Sequence, residues 1–355
     1  MESDLLIQRL QKEAGFVLYR LPGTKTIRGV IDSTPKQFNR LQDLQGISNV
    51  FLFAPFIIGS HPILAFSSNE TVECELDDLT SLSPSQSLNT TNHPTESYCK
   101  AFDIFHQETV NGHFQKIVLA RSKTLSTQTD TFQLFLDACR YYPDTMVYLL
   151  HTPTSGTWIG ATPEVLLEGN CIQMHSVALA GTMRCNGESP KLSNWSDKDK
   201  DEQRIVADYI RDCVRAVGEL KDEWGPYSYQ TAHLAHLKSD IYFRLDPDKM
   251  PELLSMLHPT PAVCGIPKRE SLQCIIHHEE EDRSYYAGFL GWYNPNGDSQ
   301  LYVNLRCLHQ YDDAHIKLYA GGGILPSSTL EGEWMETENK MQTLLYLPSM
   351  NLTGI

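Results

Sequence analysis

Nowhere in the 355 residues do two cysteines form a C-x-x-C pair, although nine are scattered between Cys74 and Cys307. An odd number without paired spacing suggests neither a disulfide framework nor a zinc cluster, and reduced thiols in a cytoplasmic protein fit best. Positive charge is scarce as well, with 29 Lys and Arg against 44 Asp and Glu and a formal net charge of -15. That balance argues against a nucleic-acid partner, because phosphate backbones are held by basic faces. It leaves room for a local basic pocket that takes a small anion. Long apolar runs are missing too. The most apolar one, Phe51 to Ile58, is interrupted by Pro55 and falls far short of the roughly 20 residues of a membrane span. The opening MESDLLIQRLQKE has early acids and an amphipathic pattern, which reads as a helix and not as a signal peptide. With 41% hydrophobic and 21% charged residues, the chain has the composition of a soluble globular protein.

Length alone allows one large domain or two. Gly15 to Tyr19 and Val50 to Phe56 read as strands, and the polar stretch from Thr80 to Pro94, containing SLSPSQSLNTTNHP, reads as a loop and candidate boundary. It separates a β-rich segment, 1–96, from a core spanning 97–350, both contributing to one fold. In the core, β-like runs (Lys116 to Ala120, Met146 to His151, Tyr285 to Trp292, Gln300 to Cys307, Ile316 to Ala320) alternate with amphipathic helical stretches. Neither a repeat nor a strict βαβ order appears. Turns such as Asn296-Gly297 join successive strands, so the class expected is α+β with antiparallel sheets.

Four places could carry chemistry. In AGGGILPSSTLEGEWMETENK, three glycines end a β-like run, Ser328 and Glu331 form a capping-box pattern, and Glu333, Glu336 and Lys340 share one helical face. A glycine turn with free N–H groups could receive an anion; a surface Glu336–Lys340 pair explains the same spacing. A second helix starts near Ser196, with Ile205, Val206, Tyr209, Cys213 and Val217 as its apolar stripe. Glu202 lies on that stripe, so it is paired, protonated or metal-bound, unless it reaches solvent at the helix start. Lys116 in FQKIVLA is either a charge that guards an edge strand or a desolvated amine suited to general base work. Glu164, after Pro163, is a carboxylate at a turn, where solvation is the ordinary state. HPTPAVCG, from His258 to Gly265, reads as a rigid wall. His236, His277 and His278 lack metal-ligand spacing, and 277–282 reads as a charged surface loop.

The segments QKIVLAR, GATPEVLL, HSVALAGT, DKDEQ, HPTPAVCGIP, YYAGFLGW, YVNLRC and AGGGI followed by GEWMETENK resemble, in order, those of the chorismate-utilising enzymes. That family includes isochorismate, salicylate and anthranilate synthases and aminodeoxychorismate synthase component I. The likeness covers roughly Ser97 to Leu347. It implies two antiparallel sheets packed together, helices outside and an active site in the central cleft. It also implies magnesium held by Glu202 and Glu336 with support from Glu333, a set suited to an ion that prefers oxygen ligands and keeps waters. Lysine at position 116 resembles the members that add water, where those that add ammonia typically carry glutamine. Ala180 stands where aminodeoxychorismate synthases commonly carry an attacking lysine, so the covalent route is closed. The anthranilate enzymes' N-terminal inhibitor-binding pattern is absent.

The resemblance thus implies an isochorismate synthase. Lys116 would deprotonate a water that attacks C2 of chorismate while Glu164 protonates the departing C4 hydroxyl. Arg306, the backbone at Gly322 and Gly323, and Lys340 would grip the enolpyruvyl carboxylate or add positive charge. Gly181, Thr182, His236 and Ala262 would line the pocket. A salicylate synthase, which goes on to eliminate pyruvate, is the nearest rival, and a catalytically silent chorismate-binding protein a more distant one. Menaquinone synthesis is the expected destination of the product, siderophore synthesis the alternative. The chain is expected to act as a monomer without a glutaminase subunit.

Overall fold

The computed structural model describes residues 10, 13–76, 93–185, 189–231 and 234–352. The expected N-terminal helix, apart from Leu10, and most of the Thr80 to Pro94 loop lie outside the described residues. The chain opens with β1 (Phe16–Arg20), β2 (Thr26–Ile31), β3 (Lys36–Phe38), β4 (Val50–Ala54), β5 (Ile63–Ser67) and β6 (Thr71–Glu75). Then α1 (Glu96–Val110) leads into β7 (Lys116–Ser126), and α2 (Thr131–Tyr141) into β8 (Met146–Thr152), β9 (Gly156–Thr162), β10 (Val165–Asn170) and β11 (Gln173–Arg184). Next, α3 (Asp197–Val217) precedes the hairpin of β12 (Gly218–Thr231) and β13 (Leu234–Leu245), and α4 (Met250–Leu257), β14 (Gly265–Ile266) and α5 (Lys268–His278) follow. The chain closes with β15 (Phe289–Tyr293), β16 (Ser299–Val303), β17 (Cys307–Gln310), β18 (His315–Ile324) and α6 (Leu330–Leu345).

These strands form two nine-stranded antiparallel sheets, ordered β14-β7-β18-β17-β9-β8-β1-β2-β6 and β12-β13-β11-β10-β16-β15-β4-β5-β3. The α+β arrangement of two packed antiparallel sheets, with helices on the outer side, is the expected one. The early strands enter both sheets: β1 pairs β8 with Phe16 opposite His151, and β4 pairs β15 with Ala54 opposite Phe289. Alternation along β8 explains the layering. Tyr148 and Leu150 face an inner cluster with Phe53 and Trp158, whereas Val147 and Leu149 face Leu134 and Phe135 of α2 and Leu344 of α6. A strand covered on both faces reads as the continuous apolar run MVYLL. At the centre, Phe53 stacks on Tyr285 with ring centroids 4.2 Å apart and meets Trp158 edge-on.

Two expected strands are shorter than their apolar runs. Tyr285 to Ala287 is a turn with Ser284 and Ala287 at positive φ, and the strand starts at Phe289. The run Gln300 to Cys307 breaks after Val303, because β16 belongs to the second sheet and β17 to the first. The change of sheet occurs beside a second one: β9 ends in the first sheet at Thr162, and β10 begins in the second at Val165. Backbone hydrogen bonds join the two crossings, Val303 N–H to the Glu164 carbonyl at 2.9 Å and Ala161 N–H to the Arg306 carbonyl at 3.2 Å. Among the described residues no helix is long and apolar enough to cross a membrane.

The central stack makes a direct test. Phe53→Ala is expected to cost about 3–5 kcal/mol of stability by leaving a cavity. Ile172→Ala, at a side chain 72% exposed, should stay within about 0.5 kcal/mol. Urea melts of both variants provide the comparison.

Candidate active site

The two crossings each project one charged side chain into the space where the sheets part. Glu164 follows Pro163 on the first, and Arg306 lies on the second with φ 50, a left-handed conformation uncommon for a residue with a side chain. Glu164 is not the solvated carboxylate its turn suggested: it is 4% exposed. Burial pushes its pKa up to about 7, while Lys116, Lys340 and Arg306 pull it back down. The carboxyl therefore keeps its proton close to neutrality. Arg306 is buried too, which lowers its pKa, and its guanidinium donates to Thr343 Oγ1 at 3.3 Å.

Lys116 begins β7, but not at an edge. Ile266 of β14 lies opposite it on one side, and β18 pairs along the other, with Ile324 opposite Ile117. The edge-guard reading is thereby overturned. The lysine is fully buried, and its Nζ is 2.8 Å from Glu202 Oε1. Ser196 caps α3 by accepting the Asp199 N–H, which fixes the helix start and turns Glu202 inward with Val206 and Ile210. At 6% exposure, Glu202 does not fray into solvent.

The cap of α6 differs from expectation. Thr329, not Ser328, receives the Gly332 N–H at 3.2 Å, and Glu331 is exposed. Ser328 instead accepts the Leu325 N–H at 3.0 Å, so its hydroxyl closes the turn between β18 and the helix. The surface-pair reading of the helix face is half right: Lys340 Nζ is 2.7 Å from Glu336 Oε1, but the pair lies within the cleft and the amine also donates to the Gly321 carbonyl. Glu333 is 1% exposed. Gly322 and Gly323 stand inside the β18–β7 ladder opposite Leu119 and Val118. Their smallness has a steric cause: a Cβ on Gly322 would lie 2.7 Å from Glu333 Oε2, and one on Gly323 would lie 2.4 Å from Glu202 Oε1.

A cavity of about 60 Å³ is walled by Glu164, Gly181, Thr182, Glu202, His236, Ala262, Arg306, Glu336 and Lys340. Nine of the residues singled out from sequence thus meet around one space. Lys116, Glu333, Gly322 and Gly323 lie behind this wall, Lys116 reaching it through Glu202. His236 donates from Nδ1 to the Gly181 carbonyl at 2.8 Å, leaving Nε2 as a buried acceptor without a partner. Burial and the nearby Arg306 charge hold its pKa down to about 3, so the ring is neutral. The cavity is smaller than the roughly 150 Å³ that accommodates benzene, and a ring ligand enters only as side chains part. A larger cavity of about 120 Å³ lies outward, between Arg121, Glu279 and Trp334. Its ionic groups are already engaged, Glu279 with Arg283 at 2.5 Å and Arg121 with Glu338. The chemistry is placed in the smaller one because the residues singled out from sequence converge there. The segment 277–282 is largely the expected charged surface stretch, with His277, Glu280, Glu281 and Asp282 exposed, except that the Glu279 side chain is buried in that ion pair; His277 and His278 close α5.

The residue that sequence reasoning missed is Lys198. Its Nζ is 2.5 Å from Glu333 Oε1, and the signal was its position four residues before Glu202 in DKDKDE, on the same helical face. Tyr286 of YYAGFLGW also lines the cavity.

Whether this donor set suits a metal can be judged from the side chains. Among the described residues no three His, Cys, Asp or Glu stand ready around one point, and each glutamate is held by a lysine. The chemistry nevertheless fits a hard divalent cation. Three buried carboxylates cluster here, and Glu333 Oε2 is buried without a partner. Burial and the negative charge of Glu336 raise the Glu333 pKa, whereas Lys340 and Lys198 outweigh burial at Glu336 and lower its own. Such a cluster calls for a positive charge.

Known proteins supply an independent comparison. A family model described as chorismate binding enzyme matches residues 64–347. The chain is 29% identical over 247 residues to the isochorismate synthase EntC of Escherichia coli K12, covering 67% of this chain and 63% of that protein. It is 32% identical over 252 residues to the isochorismate synthase DhbC of Bacillus subtilis 168, covering 66% and 63%. The matched part is thus a little under two thirds of those relatives' length. The structure of MenF, the menaquinone-specific isochorismate synthase from Escherichia coli, superposes with a TM-score of 0.76 at 20% identity over 95% of this chain and 90% of that one, which is a likeness of fold.

Glu164 makes stability depend on pH. Its folded-state pKa, about 7, exceeds the ordinary 4.5, so between those values the folded state binds more protons and stability falls as pH rises. The loss is up to about 3 kcal/mol. Glu164→Gln should flatten this part of the profile, as read by urea melts between pH 5 and 8.

Proposed function

This chain belongs to the family of chorismate binding enzymes, and from that premise we propose that it is an isochorismate synthase. The observation that carries the reading is the buried Glu164 carboxyl, which keeps a proton near neutrality on the wall of a cavity shared with Arg306, Lys340 and the Glu202 partner of Lys116. Moving a hydroxyl around a ring requires such an acid to release one hydroxyl, a base to activate water, and cations to hold an anionic substrate.

Arg306 and Lys340 would bind the carboxylates of chorismate, Arg306 from a backbone position fixed by the paired crossings. Lys116 would take a proton from the attacking water as its oxygen bonds to C2. Both ring double bonds shift, C1–C2 to C1–C6 and C5–C6 to C4–C5, and the C4–O bond breaks as Glu164 delivers its proton to the leaving hydroxyl, which departs as water. Donor and acceptor are then restored by exchange of one proton with solvent on each side. Lys116 reaches the site through its 2.8 Å contact with Glu202, so the water it would act on lies beside that carboxylate. His236 offers the Nε2 lone pair to a substrate hydroxyl. Glu202 and Glu336 would hold magnesium with Glu333 in support, and the bound ion would neutralise a substrate carboxylate and polarise its surroundings. Ala180 and Lys116 support water as nucleophile over an enzyme amine or ammonia.

Lys116→Gln is expected to lower isochorismate formation by about 10²–10⁴-fold, the usual worth of a positioned base, while chorismate binding persists. Wild-type turnover in that variant would sink the assignment of the base. Chromatography of the products with and without EDTA tests the rest: isochorismate that disappears with EDTA supports the proposal, and salicylate with pyruvate identifies the rival activity.

A further inference from the structure

Three lysine–glutamate pairs surround the site, and they differ in what they join. Lys116 links strand β7 to Glu202 of α3, and Lys340 pairs with Glu336 inside α6. Lys198 spans the two helices that bear the acids, rising from the first turn of α3 to Glu333 on α6 at 2.5 Å, with its side chain 22% exposed. Glu333 accepts it through Oε1 alone; Oε2 remains buried and unpartnered against Gly322. The Lys198 amine therefore holds one oxygen of a carboxylate whose other oxygen faces Gly322, with Ser328 nearby.

The charges facing that amine define its role. The amine contacts Glu333 directly and lies within the electrostatic reach of Glu202 and Glu336 as well. These are the same three acids that would hold the metal. Without a cation, Glu333 and Glu336, one turn apart on one helix, repel each other, and so does Glu202 from the facing helix. Lys116 offsets the charge of Glu202, Lys340 that of Glu336, and the Lys198 ammonium that of Glu333. A divalent ion that takes the same carboxylates meets this ammonium as a competitor, since the two positive charges repel and both need Glu333.

We propose that Lys198 is a positioning residue of the metal site: its ammonium serves as the counter-ion of Glu333 in the ion-free protein, and magnesium binds as that amine withdraws from Glu333. The inference rests on the magnesium reading above and adds that the protein's own lysine sets the ion's apparent affinity. The fraction of molecules with Glu333 released scales that affinity directly.

The test is calorimetric titration of magnesium chloride into the full-length chain without chorismate, with melting temperatures in EDTA and in magnesium. Lys198→Met should melt at a lower temperature than wild type in EDTA. It should bind magnesium roughly 10- to 100-fold more tightly, the range set by release of one charge-assisted hydrogen bond, and show a larger rise in melting temperature on adding the ion. Lys200→Met removes a positive charge from a half-exposed position paired to Asp197 and should leave the affinity within about twofold. Unchanged or weaker magnesium binding by Lys198→Met overturns the proposal, because a clamp between α3 and α6 that does not compete would behave so. Lys198→Gln carries the same measurement if the methionine variant does not fold. A wild-type chain that binds no magnesium, with EDTA-insensitive turnover, overturns the magnesium reading itself.

Discussion

Two strands leave the first sheet for the second at the same level, and the backbone hydrogen bonds between their crossings hold the site in place. The Glu164 carbonyl is tied to Val303 and the Arg306 carbonyl to Ala161. The acid and the guanidinium are thus fixed to each other through the main chain, independently of any contact between their side chains. Antiparallel ladders on both sides make these crossings rigid, and Asn304, buried between them, donates to the Tyr285 carbonyl and accepts the Tyr148 hydroxyl. A loop built only from turn residues could not hold an arginine at positive φ in a dry position.

Around that frame the chain buries an unusual density of charge. Buried ion pairs seldom add stability, because the desolvation of two charges offsets their attraction. Under the proposed function their presence is poise: each glutamate would exchange its amine for another cation, and each amine its carboxylate for an anionic ligand.

Periodicity located the helices and strands well where each element lies in one layer. The start of α3 at Ser196, with an acid on the apolar stripe, was legible because capping and 3.6-residue spacing are local. The two misjudged strands fail for one reason: at Val303 and at Tyr285 an apolar run continues although the backbone turns, and hydropathy carries no record of which sheet a residue joins. Glu164 was read as solvated, and Glu279 as part of a surface segment, because their burial depends on other strands; Glu279 accepts the Ala120 N–H of β7.

By itself the sequence determined the family, the antiparallel α+β class and the residue types that carry the chemistry, since those rest on ordered segments and local spacing. Only the tertiary structure decided that Lys116 is interior, that Glu164 keeps its proton near neutrality, and that Lys198 bridges two helices. Each of these depends on how many low-dielectric neighbours and fixed charges surround a group, a sum over contacts that linear order does not contain.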